Sequence, residues 1–254
     1  MQAVLVPGGN RAAVHHNLRA VFARRGFRRL LAVRLASQLG DGLFQAGLAG
    51  SVFFNPEQAA SPLAMATAFA VLLVPYSTLG PFVGVFLDRW SRRQVLFAAN
   101  GLRATLVLPC ATLVWHGIDG AGLVITALAV IALNRFFLAG VSAAAPHVVD
   151  EPRLVTANSF ATTVGSATYS GGLAIAATIF QATGSGLHPY ATVAASGAVF
   201  YATSAVLTLI SFRVNALGPD DPASASEPLA GALAAHARGM VDGLRHLVAR
   251  PAAS

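Results

Sequence analysis

Apolar residues in this chain come in long blocks separated by short polar breaks, without the short periods that mark half-buried soluble elements. Six blocks have spanning length: about Leu30 to Phe54, Pro62 to Leu87, Gln94 to Trp115, Gly122 to Ala145, Val155 to Ala182 and Ala191 to Phe212. Roughly 20 apolar residues in a helix cross the hydrocarbon core of a bilayer. Barrel strands would be about 10 residues of alternating pattern, so helices are the expected element. The breaks NPEQAAS, HGIDG and TGSGLHP are rich in turn formers, while DRWSRR and VVDEPR are short and charged. The expected fold class is therefore an all-α integral membrane protein, a bundle of six transmembrane helices over residues 30–213. Residues 1–29 form a basic amino-terminal segment. Residues 214–254 form a linker with an amphipathic helix, because Leu233, Met240, Leu244 and Leu247 alternate with Arg238, Asp242 and Arg245.

Arginine placement orients the bundle. Arg11, Arg19, Arg24, Arg25, Arg28 and Arg29 precede the first block, and Arg89, Arg92 and Arg93 stand between the second and third. Arg153 stands between the fourth and fifth, and Arg213, Arg238, Arg245 and Arg250 follow the sixth. The other three breaks carry no arginine. Positive loops stay in the cytoplasm, so both termini are expected there, in a multi-pass protein of the cell membrane. The first block is too long for the core of a cleaved leader and is expected to be a retained span.

Composition narrows the class further. Only 11% of residues are charged against 55% hydrophobic, too little charge to clothe a soluble surface, for which about 25% is usual. The net charge of +7 is accounted for by arginines at membrane ends, where anionic headgroups are partners, so nucleic acid is not expected as one. The single cysteine, Cys110, lies in an apolar block, where it reads as a packing residue. The seven histidines lack metal spacing. No nucleotide loop, thiol cluster or nucleophile motif appears, so neither a metal nor a cofactor nor an enzyme activity is expected.

Four ionisable residues fall inside the blocks: Arg34, Asp41, Arg103 and Arg135. Charge in hydrocarbon is costly and normally faces the bundle interior or a watery cavity. Arg34, Gln38, Asp41 and Gln45 are spaced 4, 3 and 4, which puts them on one helical face. Arg34 is near enough to the cytoplasmic end to snorkel. Asp41, Arg103 and Arg135 reach similar depths, so a buried charge network is expected. It reads either as a structural ion pair that fixes helix register or as a coupling site where a proton on Asp41 is linked to substrate binding. A second stripe, Asn158, Thr162, Gly165, Tyr169 and Gly172, offers small residues for close helix approach and polar ones for a cavity. Gly171 beside Gly172 permits bending, as do Pro75 and Pro81 with Gly80 and Gly84.

One connector carries a family resemblance. Gly84-Val-Phe-Leu-Asp88-Arg89-Trp-Ser-Arg92-Arg93 resembles the signature loop of the major facilitator superfamily, and it stands between the second and third spans, where that family has it. Arg135 to Gly140, RFFLAG, resembles the fourth-span motif that the family associates with proton coupling. SQLGDGL around Asp41 and PHVVDEPRLVTANSF from Pro146 look like the exporter branch that holds macrolide and siderophore exporters. The chain departs from the fifth-span exporter motif, because Ser170 stands where a proline precedes the glycine pair.

The resemblance implies the amino-terminal six-helix half of such a transporter. Gly84, Asp88, Arg89, Arg92 and Arg93 would form a cytoplasmic latch between helices, with Asp150 or Glu151 opposite the arginine. Asp41, Gln38, Gln45, Arg103, Arg135, Asn158 and Tyr169 would be the substrate and coupling candidates. The expected function is secondary active transport, a proton-linked efflux of a small hydrophobic or amphipathic compound. No seventh span follows GLRHLVARPAAS, so the expected partners are the bilayer, a small-molecule substrate, and a second six-helix half or a second copy. The alternative is a truncated or degenerate half without transport, acting as a membrane interaction module.

Overall fold

The computed structural model describes residues 18–53, 90–218 and 238–239. The second expected span, with Pro75, Gly80, Pro81, Gly84, Asp88 and Arg89, lies outside the described residues, as does most of the amphipathic tail. The described chain is all-helical in its regular structure. Five long helices carry it: α1 (Arg25–Phe53), α2 (Arg92–Trp115), α3 (Ala121–Ala144), α4 (Leu154–Thr183) and α5 (Leu187–Ser211). Among the described residues, three helices are long and apolar enough to cross a membrane: α2, α5, and α3 continued to His147. The remaining two, α1 and α4, run to 29 and 30 residues but carry the polar stripes, which lower their hydropathy.

The helices stop where the sequence supplies local reasons. Beyond α2, Gly117 takes a left-handed φ of 63°. Its N–H donates to the Val114 carbonyl at 3.1 Å, and that of Ile118 donates to Leu113 at 2.9 Å. This double return is a Schellman cap, which consumes carbonyls the helix end would otherwise leave unpaired. At the opposite end of the bundle, Pro146 and Pro152 sit at the starts of two short 3-10 turns, Ala145–His147 and Glu151–Arg153. These turns carry the chain from α3 into α4.

Lateral packing runs α4–α1–α5–α2–α3, an order different from the order along the chain. Glycine makes the central contacts close. A Cβ on Gly42 of α1 would come within 2.9 Å of the Gly172 Cα of α4, and one on Gly172 within 2.7 Å of the Leu39 carbonyl. On the other side, a Cβ on Gly197 of α5 would sit 2.9 Å from the Gly40 carbonyl oxygen. Helix α1 is thus held backbone to backbone on two sides, a packing mode that in lipid replaces the missing hydrophobic drive.

Two apolar clusters fill the α1–α5–α2–α3 side. One contains Leu30, Val33, Leu96, Ala99, Phe137, Val141 and Phe212. The other contains Phe44, Val107, Val114, Leu123, Val130, Tyr190 and Tyr201. Between them, along α1 and α2, lie Ser37, Asp41, Asn100 and Arg103, all buried. Outside, Ile125, Val199, Val206 and Ile210 are exposed apolar residues, as expected of helices that face lipid.

Candidate functional site

The buried polar layer is built from three helices. Asp41 of α1 and Arg103 of α2 form an ion pair with side chains only 3% and 1% exposed. Arg103 Nη2 donates to Asp41 Oδ1, and the Tyr201 hydroxyl of α5 donates to the same oxygen at 2.9 Å. Nη1 of Arg103 donates to Ser37 Oγ and Asn100 Oδ1, each at 2.9 Å. The guanidinium also lies 3.9 Å from the centroid of the Tyr201 ring, a cation–π contact that adds to the pair. The chain of hydrogen bonds continues from Asn100 Nδ2 to Ser204 Oγ at 2.7 Å, and from Ser204 Oγ to the Val33 carbonyl at 2.7 Å. Each of α1, α2 and α5 therefore gives at least two groups to one network.

Satisfaction is incomplete at two atoms, Arg103 Nε and Asp41 Oδ2. Asp41 Oδ1 accepts two hydrogen bonds, whereas the buried Oδ2 has no hydrogen-bond partner among the described residues. Arg135 on α3 is half-buried, and its charge is felt at the Asp41 carboxylate. The network thus brings together Asp41 and Arg103, with Arg135 as an electrostatic neighbour.

The rest of the α1 stripe turns elsewhere. Arg34 donates to Thr162 Oγ1 of α4 at 3.3 Å, and Gln45 accepts from the Tyr169 hydroxyl of α4 at 2.9 Å. Gln38 packs against Gly165, where a Cβ would lie 3.7 Å from its Cγ. The single expected face is therefore a seam: Asp41 goes to α2 and α5, while Arg34, Gln38 and Gln45 go to α4. Asn158 is exposed near the start of α4 and is not brought to either cluster.

Of the expected latch, only Arg92 and Arg93 lie among the described residues. Arg92 is buried under the turn at Gly218, close to His147. Arg93 donates to the Leu209 carbonyl at 3.1 Å. Asp150 does not face Arg92 as expected; it pairs with Arg24 and with Arg153, each at 2.7 Å. The reason is local: Arg153 lies three residues on in the same turn, and Arg24 sits at the start of α1. Glu151 is exposed. Among the described residues, no group of three His, Cys, Asp or Glu side chains could hold a metal ion.

Comparison with known proteins adds a decisive observation. Two uncharacterized MFS-type transporters, one from Mycobacterium bovis and one from Mycobacterium tuberculosis, are each 42% identical to this chain over 237 residues. The alignment covers 92% of this chain and 52% of each relative. The chain is thus similar to one half of these MFS-type transporters. It spans about half the length of the curated relatives it matches. No protein-family model matches it, and no solved structure does. The likeness to membrane transporters and the three apolar helices of spanning length together point to a membrane protein.

Sequence reasoning missed Ser37, Asn100, Tyr201 and Ser204. Their signal was available. Ser37 stands four residues before Asp41, Asn100 three before Arg103, and Tyr201 three before Ser204, spacings that place each pair on one helical face. Small hydroxyls and a lone amide in apolar blocks carry little weight by composition, so the charges drew the reading instead.

Proposed function

We propose that this MFS-like chain serves secondary active transport, a proton-linked export of a small hydrophobic or amphipathic compound across the plasma membrane. In this reading residues 30–213 form six spans with both termini cytoplasmic, and the chain works with a second six-helix half or a second copy rather than as an enzyme. The α1–α4 seam, with Gln38, Gln45 and Tyr169, forms part of the substrate wall, and the further candidates are Asn158, exposed near the start of α4, and Arg135, on the Asp41 side. The observation that carries the coupling role is the divided state of the Asp41 carboxylate. Oδ1 is held by Arg103 and Tyr201, and Oδ2 has no hydrogen-bond partner among the described residues. A proton on Oδ2 would neutralise the carboxyl and weaken its attraction for Arg103, which stays charged at any working pH. Loosening of α1 from α2 would then accompany proton uptake.

The test is a proteoliposome assay with an imposed pH gradient and a fluorescent amphipathic dye. It is run on the chain as a verified dimer and on the chain with a second six-helix half. Gradient-driven dye movement is expected, with Asp41→Asn retaining dye binding and losing the response to the gradient. Equal gradient-driven transport by the Asp41→Asn protein would remove the carboxylate from the coupling step. Transport by verified monomers would overturn the requirement for a second half.

A further inference from the structure

At the arginine-rich end of the bundle, the start of α1, the first turn of α2 and the end of α5 enclose an open groove of 640 Å³. Arg29, Arg93 and Arg213 line it together with Leu209, Ile210 and Val214, and none of the described residues that line it is acidic. Two of the arginines are fixed by the fold. Arg29 donates to the Ser211 carbonyl and Arg93 to the Leu209 carbonyl, both at 3.1 Å. These bonds satisfy carbonyls at the end of α5 and complement its dipole. Each uses one N–H of a fork that has five, so the anchoring holds the guanidinium groups in place while leaving donors to spare.

We propose that this groove binds the phosphate of an anionic phospholipid, with the acyl chain lying along the outer face of α5. Charge complementarity is the first support: three arginines face one concavity with no carboxylate among the described residues that line it, and arginine forks match phosphate oxygens. The apolar rim selects a lipid over a free phosphate. Ile210 is 73% exposed and Val214 66%. Val206, one helical turn from Ile210 on the same face, is 55% exposed. A soluble phosphate would leave this apolar strip wet, whereas a lipid covers it while its headgroup meets the arginines. By the arginine rule this end faces the cytoplasm, where the leaflet carries anionic lipid.

The test is native mass spectrometry of the whole purified chain in detergent, with phosphatidylglycerol and phosphatidylcholine of identical acyl chains in competition. Preferential retention of phosphatidylglycerol is expected. An arginine near an anionic surface is worth roughly fivefold in affinity. The double variant Arg29→Gln, Arg213→Gln should therefore lower phosphatidylglycerol binding by roughly twenty- to thirtyfold. The double variant Arg29→Lys, Arg213→Lys keeps the charge and should keep the preference, which separates lost binding from lost folding. Ile210→Asn should weaken long-chain phosphatidylglycerol more than a short-chain form. Equal retention of the two lipids by the native chain, or an undiminished preference in the glutamine variant, overturns the site. Displacement of the lipid by an equal concentration of glycerol phosphate overturns the lipid assignment and makes the groove a soluble-phosphate site.

Discussion

The Asp41–Arg103 pair gives the sharpest energetic prediction. Both side chains are almost fully buried, so removing one partner strands the other in a low-dielectric layer between two apolar clusters. Breaking such a pair costs about 3–5 kcal/mol, much of it from the uncompensated charge that remains. The two single variants should not be equal. Asp41→Asn leaves a guanidinium that cannot shed its charge. Arg103→Met leaves a carboxyl that can take up a proton, although it also removes the hydrogen bonds to Ser37 and Asn100. Asp41→Asn is expected at the upper end of that range. Combining the two substitutions removes both charges, so the double variant should be more stable than the sum of the single losses implies, with a coupling of about 2–3 kcal/mol. Reversible unfolding in mixed micelles, followed by helical circular dichroism, measures the three variants against the parent. Additivity within about 0.5 kcal/mol would show that the charges do not depend on each other, and the account of the buried layer would be wrong.

Tyr201→Phe removes one hydrogen bond to Asp41 and keeps the ring beneath Arg103, so it should cost only about 1 kcal/mol in the same unfolding assay. Gly42→Val should abolish stable folding or sharply lower thermal stability, because its side chain would enter the backbone of α4 at Gly172. Gly171→Val is the matched control and should be tolerated, since nothing lies within 4 Å of its Cβ position. In a cysteine-free background, a cysteine at Asp119 should react with an impermeant maleimide added outside intact cells and one at Arg213 should not. The opposite pattern would invert the topology.

Helix existence was legible because spanning length is a coarse signal. The third to fifth blocks match α2, α3 and α4 to within two residues, and the sixth matches α5 to within four. The first block was placed to begin at Leu30, but α1 begins at Arg25. Arginine is a good helix former, and a helix continues past hydrocarbon wherever nothing breaks it. The charged members of the polar layer were also legible, because a carboxylate and guanidinium groups in apolar blocks have few tolerable destinations. Lateral order was not legible. Asp41 and Gln38 lie only about 60° apart around α1, and which neighbour each meets depends on a seam fixed by Gly40, Gly42, Gly172 and Gly197. Hydrophobic pattern in a span does not encode that seam, since lipid-facing and protein-facing sides are alike apolar.

The lateral order α4–α1–α5–α2–α3 has a consequence for how the protein is made. Arg103 follows Asp41 by 62 residues and Tyr201 follows it by 160. At about 5–20 residues per second of synthesis, the counter-ion arrives roughly 3–12 s after Asp41, and the tyrosine roughly 8–32 s after it. Among the five long helices described, α1 is made first and α5 last, so neither α1 nor α2 is enclosed on both flanks until α5 docks. Until then the Asp41 carboxylate can meet Arg103 but lacks the Tyr201 hydroxyl, and the Gly40 side of α1 lies open. Birth order and docking order run in different directions among the described helices.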